Sequence, residues 1–122
     1  MGRLSTHVLD TSLGKPGAGI SLLVERIDGP DGNGGRQRVA EATTNDDGRC
    51  DVPLLEGDAL VVGEYEMRFS VGPYFDRTGA ASSGSPRFLD TVVIRFGIAD
   101  ASEHYHVPLL ISPFAYSTYR GS

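Results

Sequence analysis

Apolar and polar side chains alternate along most of this chain, in runs of five to nine residues separated by turn residues. Positions 64–71 show it most clearly: Tyr65, Met67, Phe69 and Val71 fall on one face, Glu64, Glu66, Arg68 and Ser70 on the other. A period of two marks a strand with one buried face. The same period predicts strands over 4–10, over 20–27 (Ile20, Leu22 and Val24 inward, Leu23 outward), over 38–44 and over 90–98, where Val92, Ile94, Phe96 and Ile98 turn in. Short strands are predicted at 51–55 and 114–119. Between them lie turn clusters: Gly14-Lys15-Pro16-Gly17, the glycine-rich loop 28–35, Asn45-Asp46-Asp47-Gly48 and the Gly/Ser loop 79–86. Only 73–78, with Pro73 in a first helical turn, predicts a helix. About eight short strands, at most one helix and no internal repeat predict an all-β antiparallel sandwich, one domain over residues 1–122.

The strand predicted over 104–112 differs in what it turns outward. Tyr105, Val107, Leu109 and Ile111 make its apolar face; His104, His106, Pro108 and Leu110 make the other. Both histidines therefore look away from the core, toward solvent or another subunit. Pro108 has no N–H to give to a ladder, which predicts an edge or a bulge there. Leu110, with Leu23 and Val93 outward on other strands, predicts a partner covering the sheet face, self-association being the simplest form.

Composition narrows the class. The chain has 122 residues, 39% of them apolar, enough for one core. Its 16 glycines and 7 prolines suit a turn-rich β protein. A net charge of −5 with scattered basic residues argues against nucleic acid as a partner. No apolar run is long enough to span a membrane or to act as a secretory leader, and the one cysteine, Cys50, cannot form an intrachain disulfide. These features predict a cytoplasmic protein.

Three histidines are the candidate chemistry. His104 and His106 share a strand face, and His7 could complete a three-histidine zinc site, but no cysteine or carboxylate pattern supports one, and no metal is expected. No G-x-S-x-G elbow or phosphate-binding glycine spacing is present. What remains is acid–base work by histidine beside an arginine. Imidazoles near a guanidinium resist protonation, so at least one stays neutral and able to accept a proton from water. Each histidine alone is an ordinary surface residue; the chemistry requires that they converge.

The segments Leu4-Ser5-Thr6-His7-Val8-Leu9-Asp10, Thr44-Asn45-Asp46-Asp47-Gly48-Arg49, His104-Tyr105-His106-Val107-Pro108-Leu109-Leu110 and Tyr119-Arg120-Gly121-Ser122 resemble those of the 5-hydroxyisourate hydrolases, the transthyretin-like proteins of purine catabolism. The resemblance runs along essentially the whole chain, and the last four residues are its most specific part. It implies a transthyretin-like sandwich of eight strands with one short helix. It also implies a homotetramer, a dimer of dimers with active sites at the dimer–dimer interface, and hydrolysis of 5-hydroxyisourate without metal or organic cofactor. Position by position, it implies His7, His106, Arg49 and Ser122 as catalytic residues and His7, Arg49 and Tyr119 as substrate contacts. A carrier using the same channel would need an apolar lining and would have no use for His7, Arg49 and His106 together. An adhesion-type sandwich would be expected to carry a leader.

Overall fold

The computed structural model describes residues 2–27, 35–80 and 84–121. Among the described residues, nine strands build two sheets. The first holds β1 (Arg3–Asp10), β2 (Lys15–Pro16), β5 (Leu55–Glu56), β8 (His104–Ser112) and β9 (Ala115–Thr118). Its order is β2-β1-β8-β9, with β5 pairing the start of β1. The second has the order β4-β3-β6-β7, from β3 (Ser21–Ile27), β4 (Arg36–Thr43), β6 (Gly63–Ser70) and β7 (Thr91–Ile98). One short helix, α1 (Gly72–Thr78), links β6 to β7, with Pro73 in its first turn and Gly79 closing it in the left-handed region at φ 70°.

The alternation of the sequence is the reason for this architecture. Leu4 and Val8 of β1 and Leu109 and Ile111 of β8 meet Leu22 and Val24 of β3, Met67 and Phe69 of β6 and Val92 of β7 in one core. Every pairing is antiparallel except β1 with β8, which run parallel through eight register pairs from Arg3–His104 to Asp10–Ile111. The sandwich expected from the sequence is present, and its first sheet is mixed.

Several local expectations change. Pro108 marks no edge: β8 is central, flanked by β1 and β9. The β8–β9 ladder ends at Leu109–Thr118 and resumes only as the bridge His106–Gly121. Pro108 lies between, where its missing donor is accommodated, and its carbonyl takes the Thr118 hydroxyl at 2.7 Å instead. The strand expected over 51–55 shrinks to Leu55–Glu56. Leu23 and Val93 lie on the second sheet and Leu110 on the first, so they do not form one patch. Glu66 sits on the outer face yet is only 5% exposed, covered by Arg36 at 2.7 Å and Arg68 at 3.0 Å. The loop segments 28–34 and 81–83 lie outside the described residues. Among the described residues, no helix is long and apolar enough to cross a membrane.

One buried charge ties the sheet bearing the histidines to the helix. Asp10, at the end of β1, is fully buried. Its Oδ1 accepts from the Ser12 N–H and hydroxyl (2.9 and 2.6 Å) and the Leu13 N–H (3.2 Å), and its Oδ2 from the Tyr74 hydroxyl of α1 at 2.7 Å. Burial pushes this carboxyl upward, but the Ser12, Tyr74 and Leu13 donors outweigh it and hold Asp10 below the usual range. A depressed carboxyl contributes stability that is complete above the unfolded value of about 3.9 and is lost as pH falls through the lower folded value. Tyr74→Phe removes one donor from a buried carboxylate, at a cost of about 1–3 kcal/mol at pH 7. Urea denaturation should show that loss, and the gap from the parent should narrow below about pH 4 as Asp10 protonates. A gap that stays the same size down to the lowest pH at which both proteins remain folded contradicts an ionised Asp10 held by Tyr74.

Candidate active site

The outer face of β1 carries Arg3, Ser5, His7 and Leu9; that of β8 carries His104, His106 and Leu110. The parallel register sets Ser5 beside His106 and His7 beside Pro108. His7 is therefore one diagonal step from His106 on the same face. The two come from opposite ends of the chain.

Arg49 reaches this face from a turn. The Asn45 side-chain oxygen accepts from the N–H groups of Asp47 (2.9 Å) and Arg49 (3.1 Å), and the Asn45 N–H reaches the Arg49 carbonyl at 2.7 Å. Gly48 takes φ 75°, and its carbonyl receives the Val8 N–H at 2.8 Å. A Cβ at Gly48 would come within 2.3 Å of the Val8 carbonyl oxygen. Only glycine satisfies both the left-handed backbone and the close approach. The approach is what pairs Arg49 with His7 as an isolated antiparallel bridge.

The C-terminal segment closes over the other side. The Gly121 N–H donates to the His106 carbonyl at 2.7 Å, and a Cβ at Gly121 would lie 2.7 Å from His106 Cδ2. Arg120 holds the segment in place: its guanidinium reaches Glu103 Oε2 and the His104 carbonyl, each at 3.2 Å, and stacks 4.2 Å from the Tyr105 ring centroid. Tyr119 is one residue past Thr118, the partner of Leu109, so its register places it on the outer face beside Pro108. It also borders a cleft of about 340 Å³ that includes Ile94, Phe96 and Val107. Ser122, the remaining expected catalytic residue, lies outside the described residues.

His106 is half-buried, and its Nδ1 lies 2.8 Å from the Ser5 hydroxyl. Burial first, then the charges of Arg49 and His7, push its pKa below the ordinary imidazole value. The shift favours the uncharged ring at neutral pH. Arg49 is exposed, and its guanidinium has no carboxylate partner among the described residues. The face thus presents a neutral imidazole, a second imidazole and an uncompensated guanidinium. His104 stands apart at the exposed start of β8, opposite Arg3. Among the described residues no three His, Cys, Asp or Glu side chains are grouped to hold a metal ion. A cleft of about 230 Å³ opens beside the site, lined by Arg3, Ser5, Arg49, Cys50 and neighbours. A larger concavity, about 510 Å³, lies on the second sheet among Ser21, Glu41, Arg68 and Thr91, away from all three histidines; acid–base groups mark a site better than volume does.

Reading residue types alone misses Ser5, Gly48 and Gly121. Ser5 is two positions from His7 and so visibly shares its face, but its bond to His106 depends on a parallel register that alternation does not reveal.

A two-sheet sandwich with one short helix, bearing histidines and an arginine on an outer sheet face, is the architecture of a transthyretin-like protein. The chain belongs to the HIUase/Transthyretin family, which it matches over residues 4–121. It is 54% identical to a 5-hydroxyisourate hydrolase of Ralstonia nicotianae over 122 residues, all of both chains. Among solved structures, the 5-hydroxyisourate hydrolase of Klebsiella pneumoniae superposes with a TM-score of 0.78 at 34% identity, covering all of both chains. (S)-allantoin synthase superposes with a TM-score of 0.91 at 46% identity, over 99% of this chain but only 44% of that one.

The electrostatic account has a direct check. In a titration followed by ring-proton NMR, His106 should show a midpoint below the ordinary value of about 6.5. In Arg49→Ala the midpoint should rise but stay short of that value, because burial, the larger cause, remains. An unchanged midpoint in the variant means that Arg49 does not act on this ring.

Proposed function

We propose that this protein hydrolyses 5-hydroxyisourate, opening its six-membered ring to give 2-oxo-4-hydroxy-4-carboxy-5-ureidoimidazoline. One observation carries the reading: His7, Arg49 and His106, from three distant stretches of sequence, meet on one outer sheet face in a chain of this family. The full-length identity to a protein named for that activity supports it.

The His7–His106 pair activates a water. Its oxygen bonds to the ring carbonyl carbon, and the adjacent C–N bond breaks. The carbon becomes a carboxyl group that stays on the product, and the nitrogen takes a proton that the water supplied. Arg49, whose planar fork suits a carbonyl-rich heterocycle, orients the ring and stabilises the oxyanion. Tyr119 hydrogen-bonds the ring, and the segment from Tyr119 to Gly121 closes the site. Two imidazoles and a guanidinium supply proton transfer and an electrophile, so this scheme calls for no metal or organic cofactor. An apolar ligand would find three polar side chains in its way, which disfavours a carrier role.

The whole chain works as one domain. Its functional form is a homotetramer, a dimer of dimers, with the β1/β8 face at the interface between dimers. A single cysteine, with no intrachain partner, fits the reducing cytoplasm.

The test is to generate 5-hydroxyisourate from urate with urate oxidase and follow its decay spectroscopically. The pure protein should accelerate decay over the spontaneous rate, and His7→Ala and His106→Ala should each lower kcat by about 10²–10⁴-fold. No acceleration refutes the function; activity untouched by both substitutions refutes the site. Light scattering should give the tetramer mass, and a monomer overturns the assembly.

A further inference from the structure

The His106 ring is held on both edges. Ser5, its register partner on β1, sits at Nδ1, 2.8 Å away. On the β9 side, the Gly121 backbone packs so tightly against Cδ2 that no Cβ would fit. With one edge toward each neighbouring strand, the free corner of the ring, Nε2, points off the sheet. Among the described residues Nε2 has no hydrogen-bond partner.

The direction of the Ser5 bond decides what Nε2 offers. A neutral imidazole has one N–H and one acceptor nitrogen. Among the described residues the Ser5 hydroxyl has a single hydrogen-bond partner, His106 Nδ1. If the hydroxyl accepted from Nδ1–H, its own proton would have no acceptor among the described residues and could be met only by water in the cleft that Ser5 lines. If it donates, that proton is satisfied, and the ring proton moves to Nε2, where substrate or water can accept from it.

We infer that Ser5 is a positioning residue: its hydroxyl donates to His106 Nδ1 and holds the imidazole as the Nε2–H tautomer, with that N–H aimed at the substrate. The inference rests on the hydrolytic reading above and divides the labour within it. A neutral Nε2–H is too weak an acid to give up its proton, so His106 acts as a hydrogen-bond donor to the carbonyl oxygen as negative charge develops there. It shares that task with Arg49. His7 is then the base. It takes a proton as the water oxygen bonds to the carbonyl carbon, and it returns the proton to the ring nitrogen as the C–N bond breaks. No proton is gained or lost by the enzyme over the cycle. Burial and the Arg49 charge, which keep His106 uncharged, suit this role.

Long-range ¹H–¹⁵N NMR of the ring nitrogens tests it on the intact protein above the His106 titration. Nδ1 should show the unprotonated shift and Nε2 the protonated one. In Ser5→Ala the Nδ1–H form should appear, kcat should fall about ten- to a hundredfold with KM within about twofold, and circular dichroism should be unchanged. Ser5→Thr, which keeps the hydroxyl, should restore the tautomer and most of kcat. A protonated Nδ1 in the parent protein overturns the inference, as does a Ser5→Ala variant with parental tautomer and kcat. The NMR readout does not depend on turnover. A protein inert toward 5-hydroxyisourate with the expected tautomer refutes the function alone, and an active protein with the opposite tautomer refutes the inference alone.

Discussion

The parallel pairing of β1 with β8 is the constraint on which the site depends. Eight register pairs join the first ten residues to a strand that begins at His104. The Thr6 hydroxyl fixes the same register from the buried side by donating to the Val107 carbonyl at 2.7 Å. Parallel neighbours cannot be joined by a hairpin; they require a long crossover. Here that crossover contains the entire second sheet and α1. Ser5, His7 and His106 therefore share a face only once the sandwich has closed, and a one-residue slip would turn His106 into the core. The inward residues resist such a slip, since Leu4, Val8, Tyr105 and Leu109 are all buried. Asp10 adds a second lock at the far end of β1 through Tyr74.

The two outer faces handle charge in opposite ways. On the second sheet, arginines are paired: Arg36 and Arg68 converge on Glu66, Arg95 reaches Glu64, and Arg38 reaches Glu41. The hydrogen bond from Arg36 leads in holding the Glu66 carboxyl low. On the first sheet, Arg49 has no carboxylate partner among the described residues. An unpaired guanidinium beside uncharged imidazole costs little on an exposed face and leaves its hydrogen-bond donors free for a ligand carbonyl. That contrast, rather than cavity size, is what sets the β1/β8 face apart as the candidate site.

Much of the fold was legible because each strand buries one face. The last long strand was read over 104–112 residue for residue, with its four apolar positions inward, and the helix bounds were off by one residue. What alternation could not supply was pairing. It assigns a side chain to a face but not a strand to a neighbour, so the parallel β1–β8 contact and the Ser5–His106 bond stayed hidden. Pro108 was misread for the same reason: whether a missing N–H matters depends on what lies opposite, and here the ladder lapses there. Glu66 looked solvated because the arginines covering it arrive from β4 and β6. His106 could be placed outside the core by its spacing alone, but its convergence with His7 and Arg49 came from family resemblance. The contributions of Gly48 and Gly121 are close backbone approaches, visible only in three dimensions.

The central claim is that the β1/β8 face between His7, Arg49 and His106 receives the substrate ring. A crystal structure with a stable planar analogue of 5-hydroxyisourate tests it most directly. The account predicts the ring on that face, a carbonyl within hydrogen-bond reach of both the Arg49 guanidinium and His106 Nε2, and His7 flanking the carbon to be attacked. An analogue seated instead in the cleft among Ile94, Phe96 and Val107, or in the concavity on the second sheet, would contradict it.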